Sequence, residues 1–272
     1  MSGAAFEGLE GLALGCDTAS YDRSSLYNPA LIESYLEHFL EEKEAWRVGN
    51  FDNDGSDFHR LTEWLHPLVE RDNPADASAF LEALLASYDT DAGGHAGRRL
   101  KGPSLVFYGM ILSPAVQALF LAGHNDFVLD FSKARGVPYS TVQHLWSDNK
   151  CQPLRMRLIG DVNSAGDRLR NCSVELFGDT YSAGDESFMT TFTLHGKVTT
   201  PFKIGRKGGG NSFYTSSDRV VYTGGDIWNT RYYLLEEPAP ERIAYIKRLK
   251  RFVPRGNKLL VKDGTSWREV VP

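Results

Sequence analysis

Met156-Arg-Leu158-Ile-Gly160-Asp161-Val-Asn-Ser164-Ala165-Gly166-Asp167 is answered by Val174-Glu-Leu176-Phe-Gly178-Asp179-Thr-Tyr-Ser182-Ala183-Gly184-Asp185, and a third pass begins Phe192-Thr-Leu194-His-Gly196. Gly160, Gly178 and Gly196 stand 18 residues apart. A fixed short period marks a repeat architecture, in which each unit buries the face its neighbour cannot bury alone. Within each pass two apolar residues two apart (Met156/Leu158, Val174/Leu176, Phe192/Leu194) leave a strand on one side, while Arg157, Glu175 and Thr193 leave it on the other. Stacked in register, Arg157 meets Glu175 as a favourable cross-strand pair. The glycine and aspartate after each strand suit a tight corner, the first through positive φ and the second through side-chain hydrogen bonds to its own backbone.

Eighteen residues of mostly extended chain at ~3.3 Å each make a loop roughly 60 Å around, which fits a turn of parallel strands better than a strand-plus-helix unit. A leucine-rich repeat is the rival, since Leu169-x-x-Cys172-x-Val174-x-Leu176 partly fits its pattern, but its period is longer and lacks glycine corners. The sequence predicts a short right-handed parallel β-helix (β-solenoid). Two full passes and a decaying third need neighbours to complete them, and the alternating Phe127-Val-Leu129-Asp-Phe131 and the segment 213–222 are the expected rungs before and after.

Leu169-Arg-Asn-Cys-Ser-Val174-Glu-Leu176-Phe-Gly178-Asp179 resembles the unit of the GxGxG-repeat β-helix domain found as part of formylmethanofuran dehydrogenase and at the C-terminal end of glutamate synthase. The resemblance covers about residues 154–196. In those proteins the domain is a scaffold inside a larger enzyme, so the resemblance implies support or assembly rather than chemistry.

Upstream the period is helical. Asn28-Pro29 reads as a cap followed by an N1 proline, and Leu31, Ile32, Tyr35, Leu36, Phe39 and Leu40 share one face of a helix to about Trp46. Asn50-Phe-Asp52-Asn-Asp54-Gly55-Ser56-Asp57 imitates the start of a calcium loop, but the twelfth position is Leu61 where a bidentate acid is required, so a polar turn capping the next helix is the better reading. That helix runs to about Arg71 with Phe58, Leu61, Leu65 and Leu68 inward; His59 and His66 stand seven apart and lack the spacing of a helical metal pair. Asn73-Pro74 is expected to open a third helix, ending near Ala92-Gly93-Gly94. Residues 102–123 carry no charge, and Ser113-Pro114 splits them into two buried segments rather than one membrane span. Past Asp226 follow an extended aromatic segment, a helix from about Pro240 to Phe252, and a hairpin turning at Lys262-Asp263-Gly264-Thr265.

The expected fold is therefore α+β, in four parts: an irregular arm (1–27), a helical domain (28–123), the short β-solenoid (124–225) and a C-terminal helix and hairpin cap (226–272). With 272 residues, 42% hydrophobic and 24% charged, the chain can bury a sizeable core. Its net charge of −5 argues against nucleic acid as a partner, and the basic run Arg242, Lys247, Arg248, Lys250, Arg251 and Arg255 reads as a solvated face. The first ten residues, with Glu7 and Glu10 and no basic start, do not read as a signal peptide. Three scattered cysteines, Cys16, Cys151 and Cys172, suit a reducing compartment, so a cytoplasmic location is expected.

The sharpest candidate site is an acidic ladder. In register Asp161 stands over Asp179 and Asp167 over Asp185, where like charges repel and something must offset them. Backbone capping is one way; a calcium ion is the other, which makes these four the candidate metal ligands. A second candidate gathers His124, Asp126, His144, Asp148 and His195 with Cys151 or Cys172 in a cleft between the halves, although no spacing supports it. A glycan site would draw on the aromatics Tyr181, Tyr214, Tyr222 and Trp228, which also suit a capping role. No catalytic residue is assigned. The expected function is a non-enzymatic scaffold or protein-interaction module; the alternative is a metal-assisted hydrolase or glycan-binding protein using the aspartates.

Overall fold

The computed structural model describes residues 26–45, 56–91, 108–132, 141–149, 152–199, 207–216, 221, 226–249 and 251–271. Among them are five α-helices and an eight-stranded, mostly parallel sheet, a mixed α/β fold whose buried side chains form one continuous core.

Helix α1 (Pro29–Ala45) starts where its cap predicts: Asn28 Oδ1 accepts the Ala30 N–H at 3.1 Å. Leu31, Ile32, Tyr35, Leu36 and Phe39 are buried along it. Helix α2 (Ser56–Asp72) buries Phe58, Leu61, Leu65 and Val69, and the calcium-like residues 50–55 before it lie outside the described residues. Helix α3 (Ala77–Asp91) begins later than Asn73-Pro74 suggests. Asn73 takes a left-handed φ of 40° and closes α2 through its N–H to the Val69 carbonyl, while Asp76 Oδ1 caps α3 by accepting from Ser78 and Ala79 at 2.9 and 3.0 Å.

The charge-free stretch also needs correcting. Instead of two segments joined at Ser113, residues Tyr108–Leu121 form one helix, α4, which runs through Pro114. Tertiary packing outweighs the missing proline donor, because Ile111, Leu112, Ala115, Val116, Ala118 and Leu119 are all fully buried. The polar residues of α4 are tied to the segment that leads into the repeats. Ser113 Oγ accepts the Gln143 N–H at 2.8 Å, and Gln117 both donates to the Trp146 carbonyl (3.1 Å) and accepts its N–H (2.9 Å). A helix buried all round is apolar all round. No described helix is long and apolar enough to cross a membrane.

The large sheet runs β1 (Asp126–Asp130), β2 (Leu154–Ile159), β4 (Cys172–Phe177), β6 (Thr191–Leu194), β7 (Ser212–Thr215), β8 (Arg231–Leu234), β9 (Lys258–Asp263) and β10 (Ser266–Val271). All neighbours are parallel except the hairpin β9–β10. Met156, Val174 and Phe192 are direct partners, the register that the 18-residue period predicts, and β1 lies before β2 with Phe127 opposite Met156. Strands β8 to β10 carry the sheet past residue 225, and the helix expected to reach Phe252 ends as α5 (Pro240–Arg248), followed by a 3-10 turn over Val253–Arg255.

Between these strands each pass pairs with the next along two further lines. β3 (Val162–Ser164) lies parallel to β5 (Thr180–Ser182), with Val198 bridging Thr180; farther on, Trp146, Arg170, Phe188, Gly209 and Trp228 bridge in sequence. Left-handed residues recur where the chain bends into that last line: His144, Arg168, Glu186 and Lys207 have φ of 57, 55, 55 and 54°. The corner glycines are needed for more than φ. Gly160 does have φ +101°, but a Cβ on Gly178 would lie 2.2 Å from the Gly160 carbonyl oxygen, and one on Gly196 would lie 2.1 Å from that of Gly178. Close backbone approach, rather than handedness, reserves those two positions.

Inside the sheet, Phe192, Phe213 and Tyr232 stack face to face with centroids 5.0 and 5.6 Å apart. Beside them runs a buried polar column, Thr190, Asn211, Thr230 and Asn257, each at most 1% exposed. Asn211 Oδ1 accepts the Thr190 N–H and its Nδ2 donates to the Ser187 carbonyl (3.0 and 2.8 Å); Asn257 does the same for Thr230 and Ile227 (3.0 and 3.1 Å). Both buried side-chain amides are thereby paired.

Candidate functional site

The acidic ladder forms, and backbone amides occupy it. Asp161 Oδ1 accepts the Asp179 N–H at 2.8 Å, and Asp179 Oδ1 accepts the Lys197 N–H at 2.7 Å, so each carboxylate caps the corner of the following pass. The donors offset the repulsion between stacked charges. Asp167 and Asp185 occupy a different corner. Asp167 is half-buried and takes the Ser164 hydroxyl at 2.7 Å; burial first and the Asp185 charge second push its pKa up to about 6, against the pull of Ser164, the Asp185 backbone and Arg168. The structure therefore brings the four candidate ligands together as two pairs after different strands. Among the described residues, no group of three or more His, Cys, Asp or Glu is arranged to hold a metal.

Among the described residues the expected cleft of histidines and cysteine is not assembled. His144 lies 3.2 Å from Arg168 Nη1 with its ring against Phe58, whereas His195 bonds Glu175 (3.0 Å) and stacks on Phe177 (4.3 Å). His124 Nε2 is buried elsewhere, and Asp126 pairs with Arg155 at 3.6 Å. Cys172 sits in the inward column, and burial pushes its thiol up to about 12, the wrong direction for a nucleophile. Cys16, Cys151 and Tyr222 lie outside the described residues.

Charges beside Asp167 knit successive passes together. Arg168 and Lys207 both reach Glu186, at 2.9 and 3.3 Å. Burial raises the Glu186 carboxyl, but the two cations outweigh it and hold the group below its usual range. Part of the basic run is structural: Arg242 donates to the Val221 carbonyl (3.4 Å) and Arg248 to that of Ala244 (3.1 Å), while Lys250 lies outside the described residues.

The outward face of the sheet holds a feature that single residues do not disclose. Opposite the buried columns runs a row in register, Arg157, Glu175, Thr193, Tyr214 and Tyr233. Arg157 bonds Glu175 at 3.3 Å, as the repeat predicts, and its guanidinium lies 5.8 Å from the Phe177 ring centroid. Tyr214 and Tyr233 stack 4.4 Å apart at 3°, and Trp267 of β10 meets both edge-on. Phe177 and Leu235 remain 39% and 47% exposed. A cavity of about 330 Å³ lies on this face, lined by Thr193, Leu194, His195, Tyr214 and Leu235. Of the aromatics suited to a glycan, Tyr214 alone among the described residues lines it; Tyr181 is exposed elsewhere, and Trp228 covers Gly209 beside Phe188.

Compared with known protein families, curated proteins and solved structures, the chain has no match.

Proposed function

We propose that this chain is a cytoplasmic, non-enzymatic scaffold and protein-interaction module built on a short right-handed β-solenoid. Pairing of successive passes along three lines, the 18-residue register and the likeness of residues 169–179 to the GxGxG-repeat unit support the coil; right-handedness follows the general rule for parallel crossovers. One observation carries the interaction half of the reading. The outward sheet face leaves Phe177 and Leu235 exposed, with the half-buried Tyr214 lining a cavity between strands, while the Asp161 and Asp179 carboxylates and the Cys172 thiol are engaged in holding the fold.

The test is a pair of substitutions on that face, Phe177→Asp with Leu235→Asp. Proteins that co-purify with the wild type from its own cells are expected to be lost from the double variant, with circular dichroism and Tm unchanged. Retention of every partner would overturn the reading. Calcium or manganese calorimetry tests the hydrolase alternative: micromolar binding that Asp179→Asn abolishes would displace the scaffold.

A further inference from the structure

The charges of the chain are sorted between its two ends. Residues 28–91 hold 15 acids against four cations, residues 240–272 hold nine cations against three acids, and the remainder holds 17 of each. The fold sets the two surpluses at opposite edges of the large sheet. Helix α3 packs on β1, the first strand in the sheet order, and α1 packs on α2 and α3; α5 packs on β10, the last strand. Seven strand steps of ~4.8 Å put those edges ~34 Å apart, about three Debye lengths at 0.1 M salt, so neither end neutralises the other.

Within each end the surplus is unanswered. Glu33, Glu37 and Glu41 stand four residues apart along the exposed side of α1, a spacing at which like charges repel. Glu63 and Glu70 are exposed on α2, whose Arg60 and Arg71 already pair with Asp57 and Asp72. These five glutamates meet no cation among the described residues. At the other end Arg268 pairs with Glu237 and Lys258 with Glu269. Lys247, Arg248, Arg251 and Arg255, on α5 and the turn after it, meet no carboxylate among the described residues. Tyr245 of α5 and Val253 of that turn are exposed, at 47% and 38%.

We infer that the basic cap of one molecule docks against the acidic helical end of a second copy, head to tail. Charge complementarity selects this occupant. A nucleic acid or an anionic membrane drawn to Lys247, Arg248, Arg251 and Arg255 would be repelled by the larger acidic surplus of residues 28–91, and a basic partner of the helical end would be repelled by the cap. A second copy answers both ends with one kind of contact. Because the two faces differ, the contact is heterologous: every added copy leaves one acidic and one basic end open, so copies line up in chains. The inference goes beyond the outward-face reading and does not depend on it.

The experiment is sedimentation velocity of the full chain at about 10 mM and about 1 M salt, where the Debye length is ~30 and ~3 Å. At low salt the average mass should rise with protein concentration, with Kd on the order of 10 μM per contact, and high salt should weaken association at least tenfold. Two charge reversals test the two faces: Lys247→Glu with Arg248→Glu and Arg251→Glu, and Glu33→Lys with Glu37→Lys and Glu41→Lys. Each triple variant alone should stay monomeric with an unchanged circular dichroism spectrum, since one face then repels the other. An equimolar mixture of the two should associate again, because each supplies the face that the other has lost. A wild type that stays monomeric at low salt, association indifferent to salt, a triple variant that associates alone as the wild type does, or a mixture that stays monomeric would each overturn the inference. The Phe177→Asp, Leu235→Asp variant should associate as the wild type; failure to do so would move the contact to the sheet face and overturn it as well.

Discussion

Between β2 and β6 each pass is 18 residues long, and its corner is tied at the surface, by Asp161 to the Asp179 amide and by Asp179 to the Lys197 amide. Between β6 and β9 the passes lengthen, from Phe192 to Phe213 and from Tyr232 to Leu259, and the tie moves inside, where Asn211 and Asn257 hold the amides of Thr190 and Thr230. Both regions keep one strand register. The early passes keep it by uniform length and close-packed glycine corners, so their exposed carboxylates add modestly. In the later passes loop length is free to vary because a buried amide fixes where each strand starts. Register is therefore a property of what happens just before and just after each strand rather than of the period itself.

The largest expected effect is at the early corners. Gly178→Ala places a methyl carbon 2.2 Å from the Gly160 oxygen and 2.4 Å from its carbonyl carbon, both backbone atoms that cannot swing away. We expect a loss on the order of 4 kcal/mol in urea unfolding, enough to unfold a marginal protein. Gly264→Ala, in the β9–β10 turn with φ +60° and nothing within 4 Å of the new carbon, controls for backbone handedness and should cost about 1 kcal/mol. Equal losses would mean that close approach does not set the early corners.

In the later region Asn211→Ala removes an acceptor from the Thr190 N–H and a donor from the Ser187 carbonyl in a site without solvent. About 2–4 kcal/mol should be lost, because each orphaned buried group costs about 1–3 kcal/mol. Asp161→Ala on the surface should cost about 1 kcal/mol, as an exposed cap does. If Asp161→Ala proved the more damaging, the contrast between outer and inner ties would be broken.

These two regions also differ in how far the sequence discloses them. Where the passes are uniform, self-comparison aligns Met156, Val174 and Phe192 and predicts the partner of every strand residue. It stops at Gly196 because Asn211 and Asn257 do not recur at a fixed interval; the signal is a Thr or Asn two places before an inward aromatic or leucine (Thr190, Asn211, Thr230, Asn257), and it emerges only once strands rather than periods are aligned. Ser113-Pro114 misleads for a related reason. A cap pattern is local, and packing on all sides of α4 outweighs it. The repeat stacks the aspartates correctly, whereas the amides that occupy them and the cavity beside Thr193 depend on backbone direction and on which strands become neighbours, which residue type alone does not convey.

Asp167 is the case where the outer and inner devices meet, since it belongs to the acidic ladder yet is half-buried. Its carboxyl, ordinarily near 3.8, titrates at about 6 in the fold, so the folded chain holds this proton more tightly than the unfolded chain. Its contribution favours the fold below pH ~4 and is lost as pH rises through about 6, after which the buried charge is a constant burden. At ~1.4 kcal/mol per unit, discounted for partial exposure, Asp167→Asn should stabilise the protein at pH 8 by about 1–2 kcal/mol. The amide oxygen can still take the Ser164 hydroxyl. At pH 4 the variant and the wild type should unfold at nearly the same urea concentration, and the difference should open between pH 4 and 7. A wild type whose stability rises across that interval at this site would place Asp167 with the surface caps rather than with the buried ties.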